Sequence, residues 1–199
     1  MSNQVDYYLT PISPFVYLGH ARFVELAQRH DATIAVKPIN LAQVFPVSGG
    51  LPLAKRAPQR QAYRLLEIKR WSSYLHIPMN PNPRFFPVAG DLAPRWILAA
   101  LEQDDELAVN LIGALGRAVW AEDRDIGDAA TLSAIARGLG ADDAALDERA
   151  NAPDTSVHYA MLTQEAIDRG VFGAPTYVFG GELFWGQDRL DFLDRALAK

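Results

Sequence analysis

The chain has 199 residues, of which 49% are hydrophobic and 22% are charged. This composition is typical of a globular domain and excludes a disordered, collagen-like or coiled-coil protein. No apolar run approaches the roughly 18 residues of a membrane helix, and residues 1–6 lack the basic and apolar regions of a signal peptide. We therefore expect a cytoplasmic protein that makes no contact with a membrane.

Cysteine is absent from the chain, and the net charge is −5. The lack of cysteine excludes disulfides, thiolate metal ligands and a cysteine nucleophile, so any thiol chemistry must use the thiol of a ligand. Residues 1–100 hold 11 Lys and Arg against 5 Asp and Glu, whereas residues 101–199 hold 8 against 19. No aromatic-rich motif accompanies the basic half, so we expect no nucleic acid partner. A small anionic ligand and a solvated charged face are the remaining interpretations.

The first forty residues predict a strand, a helix and a second strand. Residues 5–9 favour an extended strand. Ser13 and Pro14 then form a typical helix start, with serine as the N-cap and proline in the first helical position. Residues 33–37 form a second apolar strand. The two strands should therefore lie parallel, with a right-handed crossover between them.

The middle of the chain is predicted to be mainly helical. Residues 40–57 carry the turn signal Gly49-Gly50 and are expected to form a loop. A helix is predicted over residues 58–75, followed by an irregular connection at 78–90 that is rich in Pro and Asn. Helical signals then continue over residues 92–169.

Two helix caps and a closing hairpin complete the prediction. Asp128 and Asp154 each precede an apolar helical stripe and are expected to act as N-caps. Residues 176–185 read as two strands joined by the tight turn Gly180-Gly181. A final helix is predicted over residues 187–199.

A βαβ unit thus opens the chain and a ββα unit closes it. This order predicts an α/β protein with a thioredoxin-like fold that is split by a large α-helical insertion. The first part of the thioredoxin-like domain is expected at residues 1–57, the all-helical insertion at 58–169, and the second part at 170–199.

Ser13 is the first candidate functional residue. In the predicted architecture it lies at the amino end of the first helix, where free N–H groups and a partial positive charge favour an anion. A serine hydroxyl there can donate a hydrogen bond to a bound thiolate. The role of a helix cap alone also explains this serine.

A second group of candidates lies near the end of the chain. The residue before Pro175 is biased towards extended geometry, so the backbone of Ala174 can pair with an extended, peptide-like ligand or simply begin a strand. Gln187 and Asp188 fall at the start of the final helix. Asp188 is expected either to cap that helix or to bind the ammonium group of a ligand.

Basic residues supply candidates for binding a carboxylate. Arg60 and Arg64 are four residues apart on a predicted helix and therefore share a face. Lys37 ends the second strand and is expected on the same side as Ser13. The four histidines lack the spacing of metal ligands, so we expect no metal site and interpret them as surface or packing residues.

Taken together, several motifs resemble one enzyme family. They are Ser13-Pro14-Phe15, Lys37-Pro38, Trp120-Ala121-Glu122 through Asp125-Ile126-Gly127-Asp128, Gly173-Ala174-Pro175-Thr176 and Gly186-Gln187-Asp188-Arg189-Leu190. In this order and spacing they resemble 2-hydroxychromene-2-carboxylate isomerases and their relatives, the kappa-class glutathione transferases of the DsbA-like thioredoxin superfamily. The resemblance covers nearly the whole chain and implies a homodimer that uses glutathione.

The resemblance also implies roles for single residues. Ser13 matches the serine beside the glutathione sulfur, and Ala174 and Pro175 match the proline element that pairs with the cysteinyl backbone. Gln187 and Asp188 match positions that hold the γ-glutamyl end, and Arg60 falls near a basic position, usually lysine, that helps to hold the ligand. The chain departs from its relatives at Gly49-Gly50, where they often have Gly-Asn and the Asn contacts glutathione.

The implied reaction is a glutathione-dependent isomerisation in aromatic catabolism, such as naphthalene degradation. A thiolate adds to the conjugated double bond of a small aromatic pyruvate, the bond rotates, and elimination returns glutathione. Lys37 with Arg60 or Arg64 would hold the substrate carboxylate, and Phe15 and Trp185 would pack on the aromatic ring. Two alternatives are a glutathione transferase, which consumes glutathione, and a glutathione-binding protein without activity.

Overall fold

Residues 3–88 and 90–199 are described by the structure, a computed structural model. Leu53–Lys55 and Gln187–Arg189 form single 3-10 turns. The strands and α-helices follow one another as β1 Gln4–Leu9, α1 Pro14–Arg29, β2 Thr33–Pro38, α2 Leu41–Ser48, α3 Pro58–Leu75, α4 Leu92–Leu101, α5 Asp105–Trp120, α6 Ala129–Gly138, α7 Asp143–Ala150, α8 Pro153–Asp168, β3 Thr176–Phe179, β4 Glu182–Trp185 and α9 Leu190–Leu197.

The strands form one mixed sheet in the order β2-β1-β3-β4. β1 and β2 are parallel, with Tyr8 opposite Lys37, whereas β3 is antiparallel to both β1 and β4. The predicted opening βαβ unit and the closing hairpin are therefore confirmed, as is the predicted helix over residues 58–75.

The two faces of the sheet pack against different helices. Tyr7 faces α1, and its ring lies 4.7 Å from that of Phe23. Tyr8, the next residue along the strand, faces the other way because side chains alternate in a strand. It belongs to a smaller buried cluster with Val44 of α2 and Ala166 of α8. The sheet therefore separates the α1 side from the α8 side.

One continuous core joins the sheet to the helical segment. Tyr7 and Phe23 share a buried cluster with Trp96 of α4, Trp120 of α5 and Leu132 of α6. The boundaries predicted at residues 57/58 and 169/170 fall on either side of these helices and remain a prediction. No helix in residues 3–88 and 90–199 is both long and apolar enough to cross a membrane.

The prediction of a loop over residues 40–57 is wrong, because this segment contains α2. The side chain of Asn40 caps that helix by accepting a hydrogen bond from the N–H of Ala42 at 2.9 Å. Gly49 ends the helix in the left-handed conformation, with φ of 74°. Pro46 lies within the helix, and burial of Val44 against α8 favours the helix despite this proline.

The two predicted N-caps have different outcomes. Asp128 caps α6 as expected, since its carboxylate accepts from the N–H of Thr131 at 2.9 Å. Asp154 does not cap α8, because Pro153 takes the first helical position and Ala152 is the N-cap. The Asp154 carboxylate lies in the first turn and instead accepts from Arg149 at 2.6 Å.

Candidate active site at the amino end of the first helix

Ser13 is the N-cap of α1, as its sequence context predicts. Its Oγ accepts a hydrogen bond from the N–H of Val16 at 3.3 Å. The hydroxyl also donates to the carbonyl of Ala174, at a long distance of 3.4 Å. Pro14 follows as the first helical residue, and the first turn of α1 contains no acidic side chain. The positive end of the helix is therefore available to an anion.

The segment before β3 lies directly beside Ser13. The Ala174–Pro175 peptide bond is cis. The carbonyl of Pro175 accepts from the N–H of Gly186 at 2.9 Å, and Thr176 Oγ1 donates to the carbonyl of Gly173 at 2.8 Å. These bonds hold the backbone of Ala174 next to the amino end of α1. The structure thus brings together Ser13, Ala174 and Pro175.

Aromatic side chains flank this segment. Trp185 is 51% exposed, and its ring lies 4.6 Å from that of Phe172. Gly173 lets the indole approach the backbone closely, since a Cβ there would lie 3.0 Å from Trp185 Cε2. Phe15 lies in the first turn of α1 and is half-buried. Both predicted aromatic residues therefore lie on elements that border the site.

Gln187 and Asp188 adopt different environments. Gln187 is 1% exposed, and its Oε1 accepts from Arg22 Nη1 at 2.8 Å, so its side chain joins the last turn to α1. Asp188 is exposed and forms an ion pair with Arg189 at 3.1 Å. Its predicted cap role is wrong, because residues 187–189 form a 3-10 turn without a side-chain cap and α9 begins at Leu190.

Arg60 and Arg64 lie on α3, and Arg56 lies just before this helix. Arg60 is exposed, whereas Arg64 is half-buried with its guanidinium 5.2 Å from the ring centre of Phe86. Burial, together with repulsion from Arg56, lowers the pKa of Arg64 to about 10. Helical spacing could not indicate Arg56, because this arginine precedes the helix.

The structure corrects the expected position of Lys37. Its Nζ lies 2.6 Å from Glu165 and 3.4 Å from Asp6, and Tyr8 also donates to Glu165 at 2.7 Å. Arg169 completes the group through its hydrogen bond to Asp6. Lys37 therefore lies with Tyr8 on the α8 side of the sheet, whereas Ser13 begins the helix on the other side.

His20 is a packing residue, as expected. Its Nε2 lies 2.9 Å from the carbonyl of Val109, and its Nδ1 lies 3.4 Å from the hydroxyl of Tyr7. Burial lowers the pKa of His20 to about 4, so the ring is neutral at pH 7. Across the part of the chain that the structure describes, no group of three or more His, Asp or Glu is placed to hold a metal ion.

A family model described as the DSBA-like thioredoxin domain matches residues 4–198. The chain belongs to this family. A 2-hydroxychromene-2-carboxylate isomerase of Sphingobium xenophagum is 30% identical over 199 residues, covering 99% of each chain. An isomerase of the same name from Pseudomonas putida is 29% identical and covers 98% of this chain and 94% of its own length.

Solved structures of DSBA-like proteins show the same fold. A 2-hydroxychromene-2-carboxylate isomerase superposes with a TM-score of 0.79 at 29% identity, over 98% of this chain and 94% of that chain. The cytosolic disulfide reductase DsbM of Pseudomonas aeruginosa superposes with a TM-score of 0.69 at 18% identity, over 98% and 100% of the two chains, and shows the fold alone. The predicted family resemblance and thioredoxin-like class are confirmed.

Three curated isomerases match this DSBA-like protein over nearly their whole length, and this similarity identifies it as an isomerase. Thiol–disulfide exchange needs a thiolate in the protein, and this chain has no cysteine. Ser13 stands instead at the amino end of α1, beside Ala174.

Proposed function

We propose that the isomerase interconverts 2-hydroxychromene-2-carboxylate and trans-o-hydroxybenzylidenepyruvate, or a close aromatic analogue, with glutathione as a recycled cofactor. The observation that carries this proposal is the placement of the Ser13 hydroxyl. It lies at the amino end of α1 and beside the Ala174 backbone, in a chain that has no thiol of its own. The names of the curated relatives support the substrate class.

The residues around Ser13 fit a thiol-bearing peptide. The hydroxyl of Ser13 donates to Ala174 only at 3.4 Å, so this weak bond can be exchanged for one to a sulfur. The N–H of Phe15, in the first turn, has no acceptor within the helix. The backbone beside Pro175 would hold the cysteinyl part, and the exposed carboxylate of Asp188 would hold the γ-glutamyl ammonium.

The chain's contribution is to stabilise a charge on sulfur and to orient the substrate. When bound, glutathione supplies a thiolate that adds reversibly to the conjugated double bond of the substrate, which can then rotate. A free thiol with a pKa of about 8.5 is only about 3% ionised at pH 7. If Ser13 and the end of α1 lower that pKa by ~2 units, the sulfur becomes mainly thiolate, a stabilisation of about 2.7 kcal/mol.

Other residues orient the substrate in this proposal. Arg60 and Arg64, on one face of α3, hold its carboxylate. The exposed indole of Trp185 and the ring of Phe15 supply apolar surface for its aromatic ring. Lys37 is omitted from this set because Glu165 and Asp6 already neutralise it.

Ser13→Ala tests the proposal, with the exposed Ser156→Ala as a matched control. We expect wild-type protein to bind glutathione saturably in a calorimetric titration, and more tightly than S-methylglutathione. The bound glutathione should show the ultraviolet absorbance of a thiolate near neutral pH. Removing the hydroxyl should abolish that absorbance and lower kcat by about 10–100-fold, with a much smaller change in Kd.

The same assays contain the contradicting outcomes. If wild-type protein binds no glutathione at millimolar concentration, glutathione is not the cofactor and the proposal is wrong. Glutathione that is consumed in proportion to product rejects the isomerisation in favour of a transferase, because a recycled cofactor keeps its concentration. Binding without any turnover rejects the enzymatic role.

The proposal extends to assembly and compartment. Tyr63, Leu66 and Tyr74 are exposed on one face of α3, and Ile68 is the only residue of this helix that is fully buried. A homodimer would cover this apolar face. Sedimentation at several protein concentrations tests the homodimer, and a monomer at all of these concentrations would contradict it.

We place the protein in the cytoplasm, where the glutathione pool is reducing.

A further inference from the structure

Arg22 joins the middle of α1 to the 3-10 turn at residues 187–189. Its Nη1 donates to Oε1 of Gln187 at 2.8 Å and to the backbone carbonyl of the same residue at 3.4 Å. Among residues 3–88 and 90–199, every hydrogen bond of the Arg22 side chain ends on Gln187. The guanidinium therefore holds both the side chain and the backbone of the turn.

Gln187 packs closely against α1. It is 1% exposed. Gly19, one helical turn before Arg22, permits this approach, because a Cβ at position 19 would lie 2.6 Å from the Cβ of Gln187. The buried hydroxyl of Tyr177 would lie 3.2 Å from the same Cβ, so α1, β3 and the turn meet here without space for a side chain. The amide of Gln187 is therefore fixed against α1.

The turn is also attached to the segment beside Ser13. The N–H of Gly186, directly before the turn, donates to the carbonyl of Pro175 at 2.9 Å. Ser13 and Arg22 belong to the same helix, one as its N-cap and the other in its middle. Because the helix is a rigid element, the bond between Arg22 and the turn fixes where Asp188 lies relative to Ser13.

The charges of Arg22 and Asp188 both act on the buried hydroxyl of Tyr177. Burial raises the pKa of this hydroxyl, the charge of Arg22 lowers it, and the charge of Asp188 raises it. Both charges therefore lie near the junction of α1, β3 and the turn. The positive charge of Arg22 would repel a cation bound at Asp188. A favourable effect of Arg22 on such a cation must therefore come from its hydrogen bonds to the turn.

We propose that Arg22 and Gln187 are positioning residues for the ammonium group of glutathione. Their hydrogen bond holds the Asp188 carboxylate at the distance from Ser13 that a γ-glutamyl peptide spans. Gln187 acts through the turn and does not touch the ligand. The inference rests on the proposed function for the identity of this ligand, and it makes the contact between α1 and the turn the device that selects a γ-glutamyl group.

A double-mutant cycle on this pair tests the proposal. Calorimetric titrations compare glutathione with cysteinylglycine, which lacks the γ-glutamyl group. The variants are Arg22→Met, Gln187→Met and the double variant, together with Arg22→Lys, which keeps the charge and can donate to Gln187. Arg29→Met, at an exposed arginine of α1, is the matched control. Circular dichroism confirms folding.

We expect Arg22→Met and Gln187→Met each to weaken glutathione about fivefold or more and to leave cysteinylglycine unchanged. The double variant should be no weaker than the more affected single variant, because both changes remove the same bond. The KM for glutathione should rise in proportion, with kcat at saturating glutathione unchanged. Arg22→Lys should retain part of the affinity, and Arg29→Met should retain all of it.

Three results overturn the positioning pair. In the first, Arg22→Met binds glutathione as tightly as wild type or more tightly, as the loss of a nearby positive charge alone would produce. In the second, the losses of the single variants add in the double variant, which means that Gln187 acts independently of Arg22. In the third, both ligands weaken equally, which indicates a purely structural role.

Failure of the proposed function gives a different pattern. Wild-type protein would then bind glutathione without turnover while the variants keep the expected order of affinities, which supports the positioning pair and rejects the isomerisation. Wild-type protein that binds no glutathione overturns both proposals.

Discussion

His20 is a neutral histidine inside the core, and its burial makes the free energy of unfolding depend on pH. The folded protein protonates it only near pH 4, whereas the unfolded chain protonates a histidine near pH 6.5. The contribution of His20 to the free energy of unfolding is therefore fully present above about pH 6.5 and is lost as the pH falls towards 4. We expect this one residue to account for about 3 kcal/mol of the loss.

Urea unfolding at several pH values between 7 and 4 measures this loss. His20→Gln should be less stable at pH 7 but should show a shallower fall, because its side chain does not titrate. His158→Gln, at an exposed histidine on α8, is the control and should follow the wild-type slope. Parallel curves for wild type and His20→Gln would contradict the assignment.

Single residues also show how far the sequence predicts the site. Ser13 and Ala174 could be predicted because each precedes a proline, which is a local signal in the sequence. The predicted order of strands and helices then brings the two residues together. Arg56 contacts Phe45 of α2 and the carbonyl of Leu51, and no helical spacing indicates these contacts. Gln187 turns inward to Arg22, a contact across the fold that no local pattern indicates.

Lys37 joins three elements of the fold through its ion pairs. It extends from β2 to Asp6 of β1 and Glu165 of α8, and it is only 16% exposed. Lys37→Met removes a cation between two carboxylates and should lower the free energy of unfolding by about 1–3 kcal/mol. The KM for an aromatic pyruvate should remain unchanged, because Lys37 lies on the opposite face of the sheet from α1.

Lys69→Met, at an exposed lysine of α3, is the matched control for this prediction. Denaturant unfolding and steady-state kinetics of both variants provide the measurements. If Lys37→Met raises KM without lowering stability, the prediction is wrong and Lys37 contacts the substrate.

Strong local signals accounted for most elements, and tertiary contacts decided the others. The Gly-Gly turn predicted the hairpin, and Pro58 marked the start of α3. The helix α2 was missed because the turn signal Gly49-Gly50 favours a loop, whereas contacts with α8 stabilise the helical form. Strand alternation separates Tyr7 from Tyr8, but only the packed helices show which face of the sheet lies on the side of the candidate site.

At the scale of the molecule, the predicted insertion and the sheet share apolar surface. Trp96 and Trp120, fully buried in the helical segment, belong to the same cluster as Val5 and Tyr7 of β1. The segment over residues 58–169 therefore cannot bury its own apolar face without the sheet. A topological insertion need not be an independent folding unit, and this core is continuous across both boundaries.

We therefore expect one cooperative unfolding transition for the whole chain. Calorimetric and van't Hoff enthalpies should agree at fixed protein concentration, and fluorescence and circular dichroism should give coincident urea curves. Residues 58–169 expressed alone should show no cooperative transition, because the apolar surface that meets Tyr7 and its neighbours becomes exposed. If that fragment unfolds cooperatively, or the full chain shows two separated transitions, the insertion is an independent domain and the shared core does not couple the two parts.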